Sequence, residues 1–190
     1  MSPAIEPLFR GTTVLLVIDV QERFRPAIDG FAGLVAGCVR LVRTFRILDA
    51  PIIVTEQYPR GLGPTVPEVR EALALPSARG ALTIEKTAFS ACGAPGLLAA
   101  LRESSCGNVL VCGIETHVCV QQSVLDLIAA GHAVQVAVDA IGSRKASDRD
   151  VALRKMERAG AVPTTTEMAA FELLRDARHP RFKEVQAIFK

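Results

Sequence analysis

The sequence predicts an α/β fold: a three-layer αβα sandwich around a doubly wound, mainly parallel sheet of six strands. Short runs of β-branched and aliphatic residues recur along the chain, and each run is continuously apolar. Continuous apolarity is typical of parallel strands, because helices cover both faces of such a sheet. Amphipathic helical patterns separate the runs, and strands alternating with helices indicate a doubly wound sheet.

Six segments are predicted to be strands, and the last of them is the weakest. They cover 13–19, 51–55, 82–86, 108–113, 133–138 and 161–165. Between them, apolar residues spaced by three and four from Leu34 to Leu48 predict a helix over 31–49. A similar pattern predicts a helix over about 117–130, which Gly131 ends. Further helices are predicted near 67–75, 95–104, 148–159, 166–176 and 181–189.

Length and charge limit the classes of protein to which the chain can belong. Its 190 residues suit one compact domain, predicted to span 1–190. A net charge of +2, from 22 basic and 20 acidic residues, gives no electrostatic reason to expect nucleic acid or an anionic membrane as a partner. Basic and acidic residues alternate over 144–158, which predicts a solvated helix face.

A reducing, cytoplasmic location is predicted. The first six residues lack the basic start and long apolar run of a signal peptide, and the apolar stretch at 14–18 is far shorter than a membrane span. The cysteines form an odd set without a Cys-x-x-Cys pair, which argues against a disulfide framework or a zinc site. They are Cys38, Cys92, Cys106, Cys112 and Cys119.

Three of the polar residues follow or end predicted strands: Asp19, Lys86 and Cys119. Alone, Asp19 is compatible with a turn cap, Lys86 with a solvated strand end, and Cys119 equally with packing or chemistry. Together they are expected at the carboxyl edge of one sheet, where ligands of such folds bind. An ammonium beside a carboxylate and a thiol is a plausible way to tune a nucleophile.

Cys119 is placed where a strand turns into a helix. Thr116 is predicted to be the N-cap, which makes Cys119 about the third helical residue. Free N–H groups and the positive end of the helix dipole are expected there to stabilise a thiolate and lower its pKa. Cys112 lies inside a strand and is expected to be inert.

Three segments resemble the signature motifs of the isochorismatase-like cysteine hydrolases, which include nicotinamidases and N-carbamoylsarcosine amidases. They are Asp19-Val-Gln-Glu-Arg-Phe24, Lys86-Thr-Ala-Phe-Ser90 and Gly113-Ile-Glu-Thr-His-Val-Cys119. The similarity continues through Thr55-Glu-Gln-Tyr-Pro-Arg-Gly-Leu-Gly, Val138-Asp-Ala-Ile-Gly-Ser-Arg144 and Thr164-Thr-Thr-Glu, and it covers roughly 10–175. These later segments are similar to a branch of small, mostly uncharacterised hydrolases.

The resemblance implies a catalytic role for each residue of the trio. Asp19 would be the general base, Lys86 its charge partner, and Cys119 the nucleophile that forms a thioester with an amide-like substrate. A cis peptide bond is implied at Ile114–Glu115, with the backbone N–H groups of Glu115 and Cys119 forming the oxyanion hole. Gln21, Phe24, Tyr58, Phe89, Thr116 and His117 are expected to line the substrate pocket, although each is also compatible with a core or surface role.

Two differences from known family members narrow the range of reactions that the chain is expected to catalyse. Members that cleave isochorismate, a vinyl ether, lack the nucleophilic cysteine, so Cys119 favours acyl chemistry. Nicotinamidases carry a histidine-containing metal site, whereas the matching segment here, over 55–58, has no histidine. The three histidines, His117, His132 and His179, show no ligand spacing, so neither a metal nor a cofactor is expected.

The predicted function is therefore metal-independent hydrolysis of a small amide-like C–N substrate. Two alternatives stay open: vinyl-ether hydrolysis of the isochorismatase type, and a non-catalytic binding or assembly protein with a relict site. His117 is also compatible with a cap, a pocket wall, a subunit contact or a second base. A homo-oligomer, a dimer or larger, is expected because relatives assemble and the mean hydropathy is +0.30.

Overall fold

Strand order and direction confirm the predicted fold class. The computed structural model describes residues 7–190, and the residues 1–6 on which the signal-peptide argument rests lie outside that range. Six parallel strands form one sheet in the order β3-β2-β1-β4-β5-β6. The strands are β1 Thr13–Ile18, β2 Ile52–Gln57, β3 Ala81–Lys86, β4 Asn108–Ile114, β5 Ala133–Gly142 and β6 Val162–Thr164.

Helices lie between and after the strands, close to the predicted positions. They are α1 Phe31–Ile47, α2 Pro59–Leu62, α3 Pro67–Leu73, α4 Leu97–Ser104, α5 Gln121–Ala129, α6 Ala146–Arg158, α7 Thr166–Leu174 and α8 Phe182–Gln186. The short α2 was not predicted, because four residues are too few to show a helical period. Among the described residues, no helix is both long and apolar enough to cross a membrane.

Two apolar clusters pack on opposite faces of the sheet, because side chains alternate along each strand. Leu15 and Val17 of β1 join the cluster built around α1, whereas Leu16 and Ile18 join the cluster that includes residues of α4 and α5. Strand β3 departs from the expected double cover, since Leu82 is 45% exposed. This strand lies at an edge of the sheet and pairs only with β2.

The predicted helix over 117–130 divides into a π-helical turn, Thr116–Val120, and α5. The prediction that Thr116 caps this helix is wrong. Glu115 occupies the cap position, and the buried Thr116 hydroxyl has no hydrogen-bond partner among residues 7–190. Cys119 is consequently the fourth residue of the widened turn.

Strands β1 and β4 are adjacent in the sheet although they are distant in sequence, and the strand order reverses between them. Such a reversal opens a crevice at the carboxyl ends of the strands. Gly113 permits the close approach: its φ is +123°, and a Cβ atom there would lie 2.1 Å from the carbonyl oxygen of Ile18. The crevice therefore lies between Asp19 and the turn that contains Cys119.

Candidate active site

The three residues predicted to act together meet at the carboxyl edge of the sheet. Lys86 Nζ lies 2.7 Å from Asp19 Oδ2, and the two side chains are 0% and 1% exposed. The Cys119 thiol interacts electrostatically with both charged groups, and the residue is 6% exposed. The structure thus brings Asp19, Lys86 and Cys119 together, as expected from their positions after strands.

Both carboxylate oxygens of Asp19 are held. The Thr55 hydroxyl donates to Oδ1 at 2.7 Å, and Lys86 Nζ donates to Oδ2. The backbone at Asp19 has φ +53°, a left-handed conformation that Asp tolerates better than most residues. A buried carboxylate is costly unless it is paired and hydrogen-bonded, so these contacts are what allow the charge to remain inside.

The Lys86 ammonium donates hydrogen bonds to three further acceptors besides Asp19. It donates to Gln57 Oε1 at 2.7 Å, to the Phe89 carbonyl at 3.0 Å and to the Ala88 carbonyl at 3.2 Å. Because β2 lies between β3 and β1, the lysine reaches over β2 to Asp19. Thr55 and Gln57, two residues apart on β2, support this bridge from one side of the strand.

Burial, and then the Asp19 carboxylate, raise the pKa of the Cys119 thiol to about 12, and the opposing effect of Lys86 is smaller. The expectation that the start of the helix lowers this pKa is therefore wrong. Placing a sulfur anion beside a carboxylate in a buried site costs more than the nearby N–H groups return. Cys119 rests as a thiol, next to a group that can accept its proton.

This raised pKa predicts a pH dependence of stability. The folded state keeps the Cys119 proton, whereas in the unfolded chain the thiol titrates near its ordinary value of 9.0. The stabilisation is thus complete below pH 9 and is lost as the pH rises from 9 towards 12. Between pH 8 and pH 10 the wild-type protein should lose about 1.4 kcal/mol more free energy of unfolding than Cys119→Ala.

Urea unfolding of both proteins at the two pH values measures this difference. The remaining cysteines are common to both proteins, so their titration cancels. Equal losses for the two proteins would mean that the folded thiol ionises at its ordinary pKa, and a smaller loss for the wild-type protein would mean that it ionises below that value.

The turn before Cys119 has the backbone arrangement that the resemblance implied. The Ile114–Glu115 peptide bond is cis, as predicted. The Glu115 carbonyl accepts hydrogen bonds from the N–H groups of Val118 at 3.0 Å and Val120 at 3.2 Å, so the intervening Cys119 N–H is not bound to it. On the other side, the Ser123 hydroxyl donates to the Cys119 carbonyl at 2.6 Å.

Side chains of the same turn tie it to the loop after β5. The buried Glu115 carboxylate accepts from both the backbone N–H of Arg144, at 3.1 Å, and its Nε, at 3.0 Å. His117 Nδ1 lies 3.0 Å from Ser143 Oγ, and its Nε2 lies 3.9 Å from the Asp148 carboxylate. The polar contacts of the His117 ring are therefore with this loop and with α6.

The other residues predicted to line the substrate pocket lie in different environments: one lines a cavity, some are buried in the interior, and one is exposed. Tyr58 lines a cavity of about 360 Å³ that also borders Lys86. Gln21 is fully buried, and its amide bonds to the backbone of Gln57 and Gly63. Phe24 packs against the cluster around α1, and Phe89 is 55% exposed. The fully buried Thr116 belongs to the turn that precedes Cys119.

Among residues 7–190, no group of three or more His, Cys, Asp or Glu side chains is arranged to hold a metal ion. The potential metal ligands at the site are the Asp19 carboxylate and the Cys119 thiol. The Lys86 ammonium, itself a cation, already pairs with the carboxylate.

Comparison with known proteins gives consistent results. The isochorismatase domain model matches residues 13–168. The chain is 44% identical to mouse (Mus musculus) isochorismatase domain-containing protein 2A over 180 residues, which are 94% of this chain and 83% of that protein. It is 41% identical, with a TM-score of 0.90, to a structure described as MAR1 ribonuclease from Caenorhabditis elegans, over 96% of this chain and 92% of that one.

A more distant structure shares the fold. The Escherichia coli YcaC gene product, described as an octameric hydrolase of unknown specificity, superposes with a TM-score of 0.84 at 22% identity, over 100% of this chain and 98% of that one. At this identity the likeness shows the fold alone.

Proposed function

The chain belongs to the isochorismatase family of hydrolases, and on that premise we propose that it cleaves a small amide-like C–N bond through a thioester on Cys119. The observation that carries the proposal is the buried Lys86–Asp19 ion pair together with the buried Cys119 thiol, which interacts electrostatically with both groups. A carboxylate, an ammonium and a thiol enclosed together are difficult to explain by stability alone, because burying charges rarely stabilises a fold.

The first half of the proposed reaction forms the thioester. Asp19 takes the proton of the Cys119 thiol as the sulfur attacks the substrate carbonyl carbon. The negative charge that develops on the carbonyl oxygen is bound by the N–H groups of Glu115 and Cys119, and one such donor typically lowers the barrier by about 3 kcal/mol. Asp19 then passes its proton to the leaving amine, and the C–N bond breaks.

The second half releases the acid. Asp19 takes a proton from a water molecule as the water oxygen attacks the thioester carbonyl. The tetrahedral intermediate collapses, the C–S bond breaks, and the proton on Asp19 returns to the Cys119 sulfur. Throughout both halves, Lys86 keeps the carboxylate in place and balances its charge, while Thr55 orients the oxygen that Lys86 does not contact.

A substrate screen tests the proposal. We expect the purified protein to release amine or ammonia from at least one member of a panel of small primary and secondary amides, and to do so without added metal. Loss of this release after treatment with a chelator, followed by recovery on addition of a divalent metal, would contradict the metal-independent mechanism.

Two other activities and a non-catalytic role can be distinguished from amide hydrolysis by experiment. Vinyl-ether cleavage of an isochorismate-type substrate would release pyruvate. Ribonuclease activity, raised by the description of the Caenorhabditis elegans structure, would shorten a labelled RNA. A non-catalytic role would leave every panel member intact and give Cys119 ordinary thiol reactivity. The thiol beside Asp19 favours the amide reaction over all three.

We also propose that the protein assembles as a homo-oligomer in the cytoplasm. Val151, Met168 and Phe171 are large apolar side chains exposed by 57%, 58% and 37%, respectively, on α6 and α7. Analytical ultracentrifugation of the purified protein would measure the stoichiometry.

A further inference from the structure

A cavity of about 360 Å³ borders the candidate catalytic cluster on the Lys86 side. Its wall includes Tyr58, Pro59, Arg60, Glu85, Lys86 and Thr87. The wall therefore combines the end of β3 with residues 58–63, a segment named here the α2 turn because it contains α2 and its two caps.

The α2 turn is anchored to the catalytic strands by its backbone. The Tyr58 N–H donates to the Lys86 carbonyl at 2.9 Å, and the buried Gln21 amide donates to the Gly63 carbonyl at 2.6 Å. Within the turn, the N–H groups of Gly61 and Leu62 bond to the Tyr58 carbonyl. These contacts hold the turn at a fixed position relative to the end of β3.

The turn presents an aromatic ring and a cation. Tyr58 is 55% exposed, and its ring lies against Gly61, where an added Cβ would come within 2.6 Å of the ring carbons. Arg60 is exposed, and its side chain forms no hydrogen bond or ion pair with any residue in the described range 7–190. Glu85 also lines the cavity, but it is not ion-paired with Arg60.

The charges around the cavity leave Arg60 available to a ligand. The positive charge of Lys86 is already matched by Asp19 at 2.7 Å. An arginine guanidinium presents paired N–H donors whose geometry fits a carboxylate. An unpartnered guanidinium carried on a turn whose backbone is held beside Lys86 is therefore suited to bind an anionic group of a substrate.

We propose that Arg60 determines specificity by binding a carboxylate of the substrate, so that the protein acts on small amides that also carry a carboxylate group. This inference rests on the proposed amide hydrolysis and names its substrate class. Tyr58 supplies an apolar surface for the carbon chain between the two functional groups. The amide end then lies towards Lys86, Asp19 and Cys119.

Binding to Cys119→Ala tests the inference separately from catalysis, because this variant retains the cavity but cannot form a thioester. The probes are malonamate, succinamate, glutaramate and adipamate, each paired with its uncharged diamide. Isothermal titration calorimetry is expected to show at least one acid amide binding about tenfold more tightly than its diamide, as one charge-assisted contact provides. Adding Arg60→Gln should remove that preference.

Arg43→Gln is the matched control, because it removes the same charge from an exposed position on α1. It should leave the preference unchanged. The inference is overturned if no acid amide is preferred at any chain length, or if Arg60→Gln and Arg43→Gln weaken binding equally. Tighter Arg60-dependent binding of uridine 5′-monophosphate than of every acid amide would also overturn it, in favour of a nucleotide site.

Failure of the Arg60 inference and failure of the proposed amide hydrolysis give different results. If the acid amides bind through Arg60 but the wild-type protein hydrolyses neither them nor any amide of the wider panel, Arg60 binds carboxylates and the amidase mechanism fails. If the wild-type protein hydrolyses neutral amides equally well and Arg60→Gln has no effect on KM, the mechanism stands and the Arg60 inference fails.

Discussion

Replacing Cys119 by alanine is expected to lower kcat by about 10⁵- to 10⁶-fold, the size of effect seen when a covalent nucleophile is removed. The variant lacks the sulfur that forms the thioester, and Asp19 alone has no attacking group to activate. The side chain is small and only one sulfur atom is lost, so the fold should survive. Steady-state hydrolysis of the best amide from the screen measures the loss, and circular dichroism checks the fold.

Cys92→Ala is the matched control for this experiment. Cys92 is a partly buried cysteine that packs against the same apolar cluster as Cys119, and burial raises its pKa to about 11. Its replacement should leave kcat within a factor of about two, since no reacting atom is lost. Equal losses in the two variants would indicate a packing effect rather than nucleophilic catalysis.

Replacing Lys86 by methionine is expected to lower the free energy of unfolding by about 3–5 kcal/mol. The Asp19 carboxylate, 1% exposed, would keep its charge inside the protein without a cation. The Gln57 side-chain oxygen and the carbonyls of Ala88 and Phe89 would lose their shared donor as well. Urea unfolding at pH 7 measures the change.

The double variant Lys86→Met with Asp19→Asn separates charge burial from lost packing. Removing both charges together is often nearly neutral, so more than about half of the lost stability should return. A loss below about 1 kcal/mol in the single variant would mean that solvent reaches Asp19. Failure of the double variant to recover would mean that packing of the lysine side chain causes the loss.

The main part of the candidate site was predictable from strand ends. Asp19, Lys86 and the turn before Cys119 each adjoin a run of apolar residues, and the carboxyl ends of parallel strands converge at one edge. Thr55 and Gln57 were not predicted as partners, although they lie in a segment that carries the family resemblance. Their role depends on β2 lying between β3 and β1, and the order of strands across a sheet cannot be predicted from a local sequence pattern.

The protonation state of Cys119 could not be predicted from its position in the sequence. A helix start lowers a thiol pKa when the thiol is solvated, but burial and the nearby Asp19 reverse the sign. Both causes are properties of the folded protein. The widened turn was missed for a similar reason: its bond from the Val120 N–H to the Glu115 carbonyl leaves no distinctive residue spacing.

The pocket residues show the limits of inference from motif position. Gln21 lies two residues after Asp19, where a side chain near substrate was expected, yet its amide braces the backbone of β2 and the end of the α2 turn. Arg60 lies in a segment that carries the family resemblance, but its sequence position does not indicate a role. The role proposed for it depends on the fold, which brings the α2 turn next to Lys86.

The central claim is that Cys119 carries the acyl group during turnover. Rapid acid quenching of the wild-type protein with its amide substrate, followed by intact mass and peptide mapping, tests it most directly. We predict a mass increase equal to the acyl group, located on the Cys119 peptide and absent from Cys119→Ala. Normal turnover by Cys119→Ala, with no acyl group on Cys119 of the quenched wild-type protein, would contradict the claim.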